Sequence, residues 1–151
     1  MNILKRKIGP YPLGIWFALI GILSSLLAWG MQFYSLINWE DAVRLGFQNE
    51  SFYGNEVDRT LAVIERGIAL ADIIWAMPIT IVAFIGIIKK KMIGLIAGMM
   101  DFAICVYFPL FFAFQRWGTH PNVVIGAIGL FAIPSLLGIF GLWINRKTFE
   151  K

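Results

Sequence analysis

The chain has 151 residues, 59% of them hydrophobic and 15% charged, with a mean hydropathy of +0.75. Soluble globular chains are typically about 45–50% apolar, so this composition predicts a single integral membrane domain over residues 1–151 with no soluble module beside it. The net charge of +4 sits in short clusters. No basic surface interleaved with exposed aromatics points to nucleic acid.

Lys5, Arg6 and Lys7 open the chain, and Pro10 and Pro12 end any helix continuing from the tail. The first apolar run, residues 13–37, predicts a membrane-spanning helix. A basic start before an apolar run imitates a signal peptide. The run is longer than the roughly 7–15 residues of a signal core, and Trp29, Met31, Phe33 and Tyr34 stand where a small-residue cleavage site belongs. An uncleaved first helix is expected. Gly14, Gly21 and Ser25 suit close packing within it, and Trp29, Tyr34 and Trp39 form an aromatic belt toward its far end.

Residues 38–67 form a long outer loop with six acids and three arginines. Within it, residues 39–44 suit a short interfacial helix. Phe47, Phe52 and Tyr53 are expected to pack on the bundle mouth. The spacing Val57, Leu61, Val63 or Ile64, Ile68 is helical, so the second span, residues 68–88, is expected to begin above the membrane. Asn49-Glu50-Ser51 fits a glycosylation sequon, a pattern common by chance.

Lys89–Lys91 is so short a link that the spans at 68–88 and 92–114 must be antiparallel neighbours. Gly94-x-x-x-Gly98 opens the third span as a close-packing stripe and a candidate dimer seam. The fourth span, residues 123–144, carries four glycines and Pro134. Pro78, Pro109 and Pro134 each free a carbonyl four residues earlier, which membrane helices tolerate when a neighbour, a hydroxyl or water satisfies it. Nine of the thirteen basic residues lie before the first span, in the Lys link or after the last span. Positive residues stay cytoplasmic, so the fold class expected is an all-α bundle of four transmembrane helices with both termini cytoplasmic.

Two aspartates lie inside apolar runs, where a charge costs kilocalories unless paired, protonated or hydrated. Asp72 sits roughly 6 Å below the outer end of the second span at about 1.5 Å per residue. Paired with Arg59 or Arg66 it would be an ordinary interfacial carboxylate. As a functional group it would anchor a cation, with Trp75 at i+3 adding cation–π attraction. Asp101 lies near the midplane of the third span. It is either a buried acid bonded to a proline-freed carbonyl or a proton- or ligand-binding group. Gln32, Tyr107 and Trp29 complete the candidate ligand-binding set, with Ser24, Ser25 and Thr80 as accessory hydroxyls.

Other chemistries find little support. Cys105 is the only cysteine, so no disulfide or CxxC pair forms within the chain; a small buried core residue is expected there. His120 is the only histidine and is expected in an outer turn. No cluster of metal ligands, catalytic triad or phosphate loop is visible. Neither catalytic residue nor cofactor is assigned.

Asp72-Ile73-Ile74-Trp75-Ala76-Met77-Pro78 resembles the acid-x5-Pro motif of the EXPERA-domain family, which includes the sigma-two receptor and the emopamil-binding sterol isomerase. The short basic link, Asp101 ahead of Pro109, the Ile133-Pro134-x-Leu136-Leu137-x-Ile139-Phe140 stretch and the long loop after the first helix are also similar. The resemblance implies a four-helix bundle with a lateral cavity for sterol-like or cationic amphipathic ligands, with Asp72 as the family's second-helix acid. Gln32 replaces the receptor-type acid of the first helix, and the isomerase's catalytic histidine has no counterpart, so isomerase chemistry is not implied. The expected partners are the lipid bilayer and a hydrophobic or cationic small molecule bound in a cavity. Two other roles fit the same residues: a proton-coupled carrier working as a homodimer, and an accessory subunit of a larger membrane complex.

Overall fold

The computed structural model describes residues 3–118 and 121–150. Among them are four helices long and apolar enough to cross a membrane: Leu13–Ile37, Glu56–Ile88, Met92–Phe114 and Pro121–Ile144. The protein is therefore an all-α, multi-pass membrane protein, as its composition predicts. His120 and part of the connection around it lie outside the described residues.

In chain order the helices are α1 (Leu13–Ile37), α2 (Trp39–Arg44), α3 (Glu56–Ala71), α4 (Met77–Ile88), α5 (Met92–Arg116), α6 (Pro121–Ala127) and α7 (Ile133–Ile144). A short hairpin, β1 (Lys7–Ile8) and β2 (Tyr11–Pro12), precedes α1. It turns at Gly9, whose φ of 60° is open to glycine at little cost. α3 and α4 form one continuous helix through a π-helical turn at Asp72–Ala76, and α6 and α7 do so through another at Ile128–Ala132.

The second span starts earlier than residue 68 because Asn55 caps it. The Asn55 side chain accepts the Asp58 N–H at 3.0 Å, and the Asp58 carboxylate accepts the Asn55 N–H at 3.1 Å. This reciprocal box satisfies two end donors, and Glu56 and Asp58 in the first turn suit the positive end of the helix dipole. The resulting 33-residue helix is about 50 Å long, roughly 20 Å more than a hydrocarbon core requires.

Each π-helical turn is followed, after one intervening residue, by a proline: Pro78 after Ala76, Pro134 after Ala132. A proline inside a helix lacks the N–H and presses on the carbonyl four residues back. One wider turn relieves that collision without breaking the helix, and such insertions recur at functional sites. Pro109 instead sits inside an unbroken α5.

The chain divides into two compact units. The first comprises Met1–Ser25 and Ile79–Lys151. Its helices approach through glycines. A Cβ placed on Gly141 would lie 2.0 Å from the Gly14 carbonyl oxygen, and one on Gly94 would lie 2.1 Å from the Gly86 carbonyl carbon. Phe102, fully buried, fills the notch that Gly21 of α1 and Gly138 of α7 leave open. The Gly94-x-x-x-Gly98 stripe is thus occupied by the chain itself: Gly94 meets Gly86 across the Lys link, and Gly98 meets Leu142 and Ile87.

The second unit, Leu26–Pro78, gathers the far end of α1, the helix α2, the loop behind it and α3. The expected helix at 39–44 is present, and apart from Asn38 only residues 45–55 are irregular. Glu40 holds that loop, accepting the Ser51 hydroxyl at 2.6 Å and the Phe52 N–H at 2.8 Å. Trp39 donates its indole N–H to the Glu50 carbonyl at 2.9 Å and meets the Phe52 ring edge-on at 5.5 Å. Arg66 lies over the other partner of this cluster, the Phe52 ring, at 5.8 Å. Phe47 packs against Tyr34, whereas Tyr53 is 88% exposed.

Candidate functional site

In the first unit, α5 carries Asp101 at a position with no solvent exposure. Two other helices supply its partners. Ser25 of α1 donates to Oδ2 at 2.8 Å, and Thr80 of α4 donates to Oδ1. The Ser25 oxygen also lies 3.2 Å from the Gly21 carbonyl and 3.2 Å from the Cys105 sulfur. A hydroxyl has one proton to give. The shorter bond to a carboxylate is the stronger claim on it, which leaves the Ser25 lone pairs to accept the Cys105 thiol. Cys105 stands one turn beyond Asp101 on the same face of α5. The thiol, the two hydroxyls and the carboxyl thus form one connected chain across α1, α4 and α5.

Asp101 accepts the hydroxyls of Ser25 and Thr80, and another hydroxyl meets the carbonyl that Pro134 frees. That carbonyl is satisfied separately: Leu130, four residues before Pro134, accepts the hydroxyl of Ser24. Ser24 and Ser25 are consecutive on α1, so adjacent serines serve two different helices.

In the second unit, Asp72 opens the first π-helical turn. It is partly buried, and its Oδ2 is inaccessible with no hydrogen-bond partner among the described residues. A buried polar atom in that condition costs about 1–3 kcal/mol, more if charged. Neither Arg59 nor Arg66, the arginines expected beside it, donates to Oδ2; Arg66 lies over the Phe52 ring. Sixteen residues separate Asp72 from Ile88, which places it about 24 Å along the helix from that end, inside the span.

Trp75 is 63% exposed. Asp72 and Trp75 both lie in the π-helical turn Asp72–Ala76. Tyr107 on α5 is 68% exposed, whereas Trp29 is 3% exposed. Gln32 is committed to the loop, its Oε1 accepting from Gln48 Nε2 at 2.8 Å. The bonds of Asp101 and Gln32 described here go to Ser25, Thr80 and Gln48, none of them in the predicted ligand-binding set. Ser25 and Thr80 carry more than accessory weight. Cys105 is the small buried core residue expected, 3% exposed, and its sulfur also lies 3.2 Å from the Ser25 oxygen; its position four residues after Asp101 is the one sequence signal for that contact.

Outside the spans, Asp41 accepts hydrogen bonds from the Tyr34 hydroxyl and the Arg44 guanidinium. These two, Tyr34 first, hold its carboxyl below the usual value of 3.8. Among the described residues no group of three or more His, Cys, Asp or Glu is arranged to hold a metal ion.

No family model, curated protein or solved structure matches the chain.

Proposed function

We propose that this multi-pass membrane protein binds a small hydrophobic or cationic amphipathic ligand within the bilayer, with Asp72 as the polar anchor and Asp101 as a fixed part of the scaffold. The observation that carries the reading is the buried, unpartnered Oδ2 of Asp72 at the head of a π-helical turn. A ligand ammonium or hydroxyl donating to that oxygen would remove the cost of leaving it unsatisfied. The wider turn and Pro78 supply a local departure from regular helix of the kind associated with ligand sites. The acid-x5-Pro resemblance to the EXPERA-domain family puts the anchor at the same residue.

The two aspartates divide the work by their surroundings. Both carboxylate oxygens of Asp101 already accept a hydroxyl, so it suits a structural role better than ligand capture. The carrier reading requires a group that exchanges protons with the outside, and Asp101 has no exposure.

A thermal-shift series in phosphatidylcholine nanodiscs, with a long-chain alkylammonium and a sterol as probes, tests the proposal. The expected result is stabilisation of the wild type by at least one probe and none of Asp72→Asn. An identical shift in both proteins counts against Asp72 as anchor. No shift in either, with Asp72→Asn as stable as wild type, favours the accessory-subunit reading.

A further inference from the structure

Three segments distant in sequence are folded together at one end of the first unit. The hairpin before α1 reaches the end of α4 through the Tyr11 hydroxyl, which donates to the Ile88 carbonyl at 3.0 Å. It reaches the link behind α4 through Lys90 Nζ, which donates to the Pro10 carbonyl at 3.2 Å and lies 5.0 Å from the centre of the Tyr11 ring. The segment ahead of the hairpin meets the end of α7 where Asn145 Nδ2 donates to the Leu4 carbonyl at 3.2 Å. The turn after α7, Arg146–Phe149, is anchored by Phe149, 1% exposed.

These contacts bring Lys5–Lys7, Lys89–Lys91 and the pair Arg146 and Lys147 to one end, with Glu150 the one acid in the described residues of these segments. All but Lys90 are exposed. Orientation in the membrane needs only the charges, not a folded hairpin to hold them. The helix dipole accounts for the cations that follow α4 and α7, since they stand at negative helix ends. It does not account for Lys5–Lys7, which precede the positive end of α1.

Lys90 adds a conformational observation. Its φ is 53°, the left-handed region. It occupies the position after α4 where the Lys91 N–H returns to the Gly86 carbonyl at 2.8 Å and the Lys90 N–H to Ile87 at 3.0 Å. Glycine is the usual residue at that position because it bears no penalty there. Here a lysine bears it, and its ammonium is aimed along the hairpin. Beside the cations, Ile3 and Ile8 are 68% and 47% exposed, and Arg146 lies over the Trp143 ring at 4.8 Å. Cations, exposed aliphatic side chains and indole at the end of spanning helices match the boundary between headgroups and acyl chains.

We propose that this end of the first unit is a preformed docking surface for anionic phospholipid headgroups, with the phosphates taken by lysines of the hairpin and the link and the acyl chains lying along Ile3 and Ile8. A juxtamembrane lysine near an anionic surface strengthens attraction about fivefold, and the interaction weakens with salt.

The test is native mass spectrometry of the purified protein with phosphatidylcholine and phosphatidylglycerol added in equal amounts. Wild type should retain phosphatidylglycerol selectively, less so at high salt. Lys7→Gln/Lys90→Gln/Lys147→Gln, with one change per segment, should lose about a hundredfold in affinity. Arg44→Gln/Arg59→Gln/Arg66→Gln, which removes as many charges from the second unit, should keep the preference. If the first triple variant fails to fold, exposed Lys7→Gln alone should show about a fivefold loss. Equal retention of the two lipids by wild type, or undiminished phosphatidylglycerol retention by the Lys7 variants, overturns the proposal and leaves the cations to an acidic protein partner. Displacement of the lipid by soluble glycerol phosphate at a matching concentration also overturns it, in favour of a free-phosphate site.

Discussion

Ser24 donates its hydroxyl to the carbonyl of Leu130, the carbonyl that Pro134 leaves without its helical donor. One residue on, Ser25 bonds Asp101. Two neighbouring serines on α1 therefore resolve two polar problems of the first unit, a proline-freed carbonyl and a buried carboxyl. In lipid no water competes for such groups, so each must find its partner inside the protein.

The Ser24 bond depends on the proline. Ser24→Ala should cost about 1 kcal/mol, within the range of interhelical bonds in membranes. In a Pro134→Ala background, where the main chain regains its donor, the same change should cost much less. A double-mutant cycle on unfolding in mixed micelles reads the difference directly; additive costs would mean that Ser24 and the proline act independently.

Asp101 should behave as the hub of its cluster. Thr80→Val removes one of its donors and should cost about 1 kcal/mol. Asp101→Ala removes an acceptor shared by two buried hydroxyls and leaves a void, and should cost about 2–4 kcal/mol. Asp101→Asn keeps the shape and one acceptor and should fall between them. Unfolding midpoints of the three variants in the same detergent give the ranking. Asp101→Ala no worse than Thr80→Val would remove the hub role.

Much of the fold is legible in the sequence, because apolar run length and the residues that interrupt it determine where membrane helices begin and end. Residues 13–37 and 92–114 are spans with those bounds, and the helical spacing from Val57 foretells the extension to Glu56. The π-helical turns are not legible: Asp72–Ala76 and Ile128–Ala132 read as ordinary apolar helix, and only the following prolines hint at a local adjustment. Which residues bond Asp101 is also hidden, since that depends on how α1 and α4 rotate toward α5. Gly94-x-x-x-Gly98 states that a backbone comes close without stating whose, and the answer is Gly86 of the same chain.

The glycines should separate into two groups on substitution. A Cβ on Gly141 would stand 2.0 Å from a backbone oxygen of α1, so Gly141→Ala should cost several kcal/mol or abolish folding. Gly126 and Gly129 have nothing within 4 Å of that position. Their alanine variants should be neutral or slightly stabilising, alanine being about 1 kcal/mol the better helix former. Expression and thermal stability of the three variants in one detergent check the contrast.

Acid should loosen the second unit through Asp41. Its folded value lies below 3.8, so its bonds to Tyr34 and Arg44 contribute fully above that pH. The contribution is lost as pH falls from 3.8 through the lower folded value. Carbon NMR titration of the Asp41 carboxyl should show a midpoint below 3.8 that rises toward it in Tyr34→Phe. A midpoint unchanged by Tyr34→Phe contradicts the assignment of the hydroxyl as the main cause.

The most direct test of the account is the affinity of an alkylammonium probe for the nanodisc-embedded wild type, Asp72→Asn and Thr80→Val. A charged hydrogen bond contributes about 1.5–3 kcal/mol. The account predicts that Asp72→Asn weakens binding about tenfold to a hundredfold, while Thr80→Val, though less stable, binds as wild type does. Equal affinity in wild type and Asp72→Asn would contradict it.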